Sequence, residues 1–567
     1  MADAINRRGL FGGLAAGAAA ASLPASTLAA GQARDQLAPF GKEWSGRNWS
    51  RGLEGQRRAD LDDGRFLNPI MAGDRPDPTI LKDGDVYYMT FSSFESVPGL
   101  VIWRSTDLVN WTPVTAALKR YIGSVWAPEL CRHEDRYYLY VPARTEEYRS
   151  NYVLWADDIA GPWSEPIDLH LPDHIDPGHI VGEDGKRYLF LNNGDMVPLA
   201  PDGLSTAGPV RHVYDPWRYP DDWTAESFSP EGPKLIRRGD WFYMITAVGG
   251  TAGPPTGHMV IAARSRSVHG PWEDHPGNPL VRTASAAEKW WSRGHATLVE
   301  GPQGGWWMVY HGYENAFWTL GRQTLLDPVE WSEDGWFHAR GGDLSAPLPL
   351  PAPRAPGVAR PPHGMALSDD FSQDRFGLQW GFYAAEPNEA DRFQRRDGVL
   401  HLRAKGRSPR DCSPLTFPQG EQAYRIECEI EIDPGCTAGL VVFYDHALYA
   451  GLGFDPDRFV THQYGLERGR PANPHGRRMH LRLTNDRHII TFHHSPDGRT
   501  WTKFDRQMEV SGYHHNVRGG FMMLRPGLYA AGQGEARFRT SVSRRCNGRL
   551  SIGADPSSDA GEAQEGA

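Results

Sequence analysis

Five times between residues 84 and 308 the chain runs from a polar or glycine turn into a short, largely aromatic stretch: GDVYY at 84–88, EDRYY at 134–138, GKRYL at 185–189, GDWFY at 239–243 and GGWWM at 304–308. Aromatic and β-branched residues entered from a tight turn predict strands. The fourth position of each copy, Tyr87, Tyr137, Tyr188, Phe242 and Trp307, recurs at spacings of 50, 51, 54 and 65 residues. A four-stranded propeller blade takes roughly 40 to 50 residues, so five blades are predicted. Trp111, Trp163 and Trp272 follow three of the copies and are expected to pack between blades.

Beyond Trp336 the repeats stop. Apolar and polar positions alternate along 424–432 and 479–483, between turns such as PDG at 496–498, which predicts a β-sandwich. The expected organisation is therefore all-β: a propeller over 66–346, a stiff proline-rich linker over 347–365, a sandwich over 366–545 and a disordered tail over 546–567. Upstream, Arg7-Arg8, an Ala/Gly/Leu run and small residues around Ala29 and Ala30 read as an export signal over 1–30 of the twin-arginine type. The expected location is periplasmic or extracellular. Residues 31–65 form an N-terminal extension, whose Trp44, Trp49, Arg51, Arg57 and Arg58 either brace the propeller or reach a pocket rim.

Composition narrows the function. With 20 Trp, 21 Tyr, 22 Phe, 63 Gly and 45 Pro the chain is rich in strand and turn formers. A formal charge of -10 gives no footprint for nucleic acid or an anionic membrane, so the expected partner is a small neutral molecule. Oligomeric state is not legible. The five cysteines (Cys131, Cys412, Cys428, Cys436 and Cys546) lack metal-ligand spacing, and a disulfide among the last four cannot be deduced.

Ahead of each aromatic strand stands a second set of residues: Asp77, then WAPE at 126–129, then Asp176, Glu231 and His295. The first strand of a blade lines the central channel, so these residues should converge at the axis. Asp77 alone, between Pro76 and Pro78, reads as an extended or turn residue. Three carboxylates in one pocket repel one another, and a fold that repeats them at matching points is using them.

RPDPTI at 75–80, WAPEL at 126–130, HIDPGHI at 174–180, SPEGPKL at 229–235, RGHATLV at 293–299 and LGRQTLLDPVEW at 320–331 resemble, in this order, family 43 glycoside hydrolases. EVSGYHHNVRGGFMMLRPGLYAAG at 509–532 is similar to the concanavalin-like jelly roll that follows the propeller in family 43 β-xylosidases. The resemblance implies hydrolysis of xylo- and arabino-saccharides with inversion, with Asp77 as general base, Glu231 as general acid, and Asp176 as the residue that raises and orients the acid. It implies Arg322 as a contact to sugar hydroxyls. It also places His295 in the channel, where it borders the hydration shell of a Ca2+ in some relatives, although no cofactor is expected to be required. Phe94 and Trp126 read as pocket walls. His514-His515, taken as neighbours on a strand, face opposite ways and do not share a metal. The expected activity is an exo-glycosidase releasing terminal β-D-xylose. An α-L-arabinofuranosidase or bifunctional enzyme is the alternative, and a non-catalytic sugar-binding propeller the alternative of another class.

Overall fold

A computed structural model describes residues 49–355 and 357–546. The export signal, Trp44 and all but the first residue of the tail lie outside the described residues. Five antiparallel sheets of four main strands follow one another along the chain, and their first strands are Thr79–Asp83, Glu129–His133, Gly178–Val181, Glu231–Arg238 and Trp290–Glu300. These are blades 1 to 5. Each turn-plus-aromatic copy is the hairpin from the first to the second strand of its blade, so the repeat and the blade are one unit.

The aromatic strands repeat because each blade packs against its neighbours through them. Five apolar clusters fill the five junctions between neighbouring blades, and Tyr87 and Met89 of blade 1 meet Trp307 and Val309 of blade 5 to close the ring. Trp111 is buried in that closing cluster, while Trp163 and Trp272 pack half-buried against the junctions of blades 1–2 and 3–4. A hydrogen-bonded latch adds to the closure. Asn68 Nδ2 donates to Leu326 O at 2.9 Å and Leu326 N–H donates back to Asn68 Oδ1 at 2.8 Å, so the segment entering blade 1 lies along blade 5.

The second part is a sandwich of an eight-stranded and a seven-stranded sheet around one apolar core. Alternation built it: along Ala423–Ile432 every second side chain is buried. All five cysteines are free thiols.

Two expectations need correction. Residues 347–365 are no free spacer: Leu348–Pro349 pairs with Arg65–Phe66, Arg354 forms an ion pair with Asp60, and Gly364 N–H donates to Trp111 O at 2.7 Å. Proline fixes φ here for packing rather than for reach. The outer strand of the eight-stranded sheet, Ser96–Val97, belongs to the propeller, pairing with Phe382 and Tyr383. The described part of the extension braces the molecule: buried Arg57 pairs with Glu314 of blade 5 at 2.7 Å and donates its backbone N–H to Glu421 of the sandwich at 2.5 Å.

Candidate active site

Asp77 and Asp176 each end the segment leading into a first strand, Glu231 begins one, and His295 lies inside one. Blade 5's first strand shifts register twice, between Trp291 and Gly294 and between Gly294 and Thr297, and this turns His295 into the channel. The imidazole sits between two carboxylates, with Nδ1 3.5 Å from Asp77 Oδ1 and Nε2 3.5 Å from Asp176 Oδ2. Blade 4 brings Glu231 close through Gly232, whose φ of +64° and missing side chain are both required, since a Cβ there would lie 2.5 Å from the His295 ring.

The expectation of an extended Asp77 is wrong. Its φ is +54°, and Phe94 (+50°), Asp176 (+57°) and His295 (+62°) share the left-handed region. Pro78 denies Asp77 the right-handed helical region, and Asp tolerates the left-handed one when its groups are held. They are held well: Arg322 Nη1 pairs with Oδ1 at 2.7 Å, Ser92 Oγ donates to Oδ2, and the backbone N–H donates to His311 Nδ1 at 3.1 Å. Four strained backbones around one pocket mark a site where geometry is set at some cost in stability.

The three carboxyls differ in charge. Burial favours the neutral form of Asp77, but the Arg322 guanidinium outweighs it and holds Asp77 well below the usual carboxylate range. Glu231 is pushed well above that range by burial, then by the charges of Asp176 and Asp77. Asp176 rises to about 7, through burial and then Asp77, with Lys234 opposing. Glu231 therefore keeps the proton that Asp176 gives up first. Its side chain, 22% exposed against 8% for Asp77 and 5% for Asp176, is also the most exposed of the three. His258 Nε2 stands 3.9 Å from Glu231 Oε1, beyond hydrogen-bond reach, so the Glu231 proton stays free for a ligand oxygen. Burial keeps His258, His295 and His311 neutral, the last two at about 3 and about 4.

The walls are aromatic, and one comes from the sandwich. Phe521 stacks on Phe94 at 6.1 Å between centroids and meets Trp126 edge-on at 6.4 Å. The Arg322 guanidinium lies over both, 5.6 Å from the Phe94 ring and 5.3 Å from that of Phe521. His515 stacks on Phe521 at 5.8 Å. Its segment is a short helix, His515–Arg518, rather than a strand, because His514 caps it by accepting from Asn516 N–H. His514 stacks on Trp318, while His515 bonds Tyr313 OH at 3.1 Å. The structure brings together Asp77, Asp176, Glu231, Arg322, Phe94, Trp126 and His295, all singled out from the sequence, and places beside them Phe521, His311, His258 and Lys234, which were not. Lys234 stood inside SPEGPKL and Phe521 inside the 509–532 motif, though neither motif says that its residue reaches this pocket; His258 and His311 carry no local signal.

Among the described residues, no three His, Cys, Asp or Glu side chains are grouped to hold a metal directly. Both nitrogens of His295 lack hydrogen-bond partners, so a channel ion beside it would be held through water alone.

The family model for glycosyl hydrolases family 43 matches residues 66–337, and that for the beta xylosidase C-terminal concanavalin A-like domain matches residues 368–540. A non-reducing end alpha-L-arabinofuranosidase of Bacteroides ovatus is 30% identical over 408 residues, covering 67% of this chain and 74% of the relative. A xylan 1,3-beta-xylosidase of a Vibrio species is 32% identical over 339 residues, covering 51% of this chain and 61% of the relative. Among solved structures, the xylan beta-1,4-xylosidase of Bacillus halodurans superposes with a TM-score of 0.72 at 25% identity, over 85% of this chain and 100% of that one.

Proposed function

The chain belongs to glycosyl hydrolase family 43 and is a glycoside hydrolase, and from that premise we propose that it removes terminal β-D-xylose from xylo-oligosaccharides with inversion. The observation that carries the reading is the contrast among three clustered carboxyls, one held ionised by Arg322 and one held protonated, in a pocket walled by Phe94, Trp126 and Phe521.

In the proposed reaction Asp77 takes a proton from a water molecule as that water attacks the anomeric carbon. Glu231 gives its proton to the departing glycosidic oxygen, and the bond from that oxygen to the anomeric carbon breaks. Asp176 stays negative beside Glu231 and keeps the proton on it until the leaving oxygen becomes basic. Arg322 keeps Asp77 charged and offers its remaining donors to sugar hydroxyls. The aromatic walls suit the C–H faces of a pentose. A pocket narrowed by a ring from a second domain suits attack at a chain end.

A second reading, release of α-L-arabinofuranose or of both pentoses, is favoured by the arabinofuranosidase relative, whose similarity covers 67% of this chain. Nitrophenyl β-D-xyloside and α-L-arabinofuranoside assayed side by side decide between them, and release from neither overturns both. Proton NMR of a β-xyloside reaction should show α-xylose first; β-xylose first would make Asp77 a nucleophile. The route needs no cofactor, so a chelator should leave kcat/KM unchanged; a loss that Ca2+ restores would assign a channel ion. We also propose export, which the mature N-terminal sequence of the secreted protein tests.

A further inference from the structure

Beneath the carboxylates lies a second layer that the reaction above does not use. Thr79, Glu129, His179, Lys234 and Thr297 supply one buried residue from each blade, and together they cross the channel. Lys234 is the centre of this layer. Its ammonium donates to Pro128 O at 2.8 Å, to Glu129 Oε2 at 2.7 Å and to Pro177 O at 3.0 Å, so one group ties blades 2, 3 and 4. Glu129 also receives Thr79 Oγ1 at 3.3 Å and His179 N–H at 3.3 Å, while Thr297 Oγ1 donates to Pro78 O at 2.8 Å. Pro78 follows Asp77 and Pro177 follows Asp176, so the floor grips the backbone beside two of the three carboxylates. The same five residues line a cavity of about 420 Å3, together with aliphatic side chains such as Ile80, Leu130, Ile180 and Leu235.

Lys234 reaches this place through a bulge. Residues three apart on a regular strand face opposite sides, yet the register shift between Glu231 and Lys234 puts both into the channel at different depths. A buried ammonium is costly to desolvate and is retained where it has charge to balance. The site holds Asp77, Asp176, Glu231 and Glu129 against Arg322 and Lys234, with neutral histidines. Lys234, paired with Glu129, and Arg322, paired with Asp77, are the two cations that act on Asp176, and Lys234 is the one that also holds the Asp176 segment, through Pro177 O.

We propose that Lys234 is a positioning residue for the catalytic carboxylates: a built-in cation at the channel floor that fixes the Asp176 segment through Pro177 O and keeps Asp176 ionised beside the proton of Glu231. The inference rests on the reading of Glu231 and Asp176 as acid and modulator. The groups facing Asp176 are Asp77 from blade 1, Lys234, Glu231 and the Gly232 N–H from blade 4, and His295 and Arg322 from blade 5; Glu129 of blade 2 acts on it through Lys234.

The test is the pH dependence of kcat/KM for an aryl glycoside in two variants that change the floor charge in opposite senses. Lys234→Met removes the cation, so Asp176 should hold its proton to higher pH and the acid limb should move up by about one unit. Glu129→Gln keeps an acceptor for Lys234 but removes the opposing charge, so the acid limb should move down. Lys234→Ala should recover at least part of its lost turnover in ethylammonium, a cation small enough for the vacated space, whereas Lys234→Met should not. If the Lys234 variants do not fold, Glu129→Gln alone decides. Limbs that coincide with the parent's while turnover falls would make Lys234 structural only and overturn the proposal. Absence of glycoside turnover in the parent is a different failure, that of the catalytic reading itself.

Discussion

The three carboxyls make opposite contributions to stability and to chemistry, and single substitutions should separate them. Asp77 has a depressed folded value, so its ion pair stabilises the protein above the unfolded carboxyl's pKa near 4 and is lost as pH falls through and below that range. Asp77→Asn strands the buried Arg322 and should cost about 3 kcal/mol in denaturant unfolding at pH 7, besides lowering turnover about 10³-fold for every substrate. Glu231 has a raised folded value, so keeping it in the fold costs stability increasingly as pH rises above its unfolded value. Glu231→Gln should therefore raise Tm at pH 8 by about 2–4 °C. The same variant should lose far less activity on nitrophenyl glycosides than on xylobiose, because a good leaving group needs little protonation. A lowered Tm, or equal losses on both substrates, would remove Glu231 from the acid's role. Asp176→Asn should move the alkaline limb of the pH profile toward acid, since it removes the nearest negative charge from Glu231.

Between strands and loops, what could be foreseen follows from where the information lies. The hairpin repeats were legible because each blade must present the same aromatic face to its neighbour, so packing prints a period on the sequence. Asp77, Asp176 and Glu231 were legible because they stand in register with that period. Phe521 was not, because it reaches the pocket from a loop more than four hundred residues downstream of Phe94, and contact at that separation leaves no local pattern. Asp77's left-handed backbone was hidden too, since Pro76 and Pro78 restrict φ and ψ but only Arg322, Ser92 and His311 choose between the remaining regions. The Phe521 loop earns its own prediction: Phe521→Ala removes one wall and should raise KM about tenfold with kcat little changed, read from initial rates. A kcat loss at constant KM would show instead that Phe521 orders the chemistry.

The molecule as a whole does not divide where its two family models do. Blade 1 lends Ser96–Val97 to the sandwich, the sandwich lends Phe521 to the pocket, and Arg57 pins the extension to both blade 5 and the sandwich. A chain ending at residue 346 should therefore be inactive and recover no cooperative unfolding transition by circular dichroism; full turnover from that fragment would show that the sandwich and its Phe521 are dispensable. Seen in time rather than in space, the shared strand has a further effect. Phe94 and Phe521 are 427 positions apart, so a ribosome finishes one wall of the pocket long before it begins the other. Until residues 382 and 383 emerge, blade 1 carries an edge strand with nothing to pair with. A chain that stops before Phe521 has Phe94 and Trp126 in place but lacks the ring that faces them.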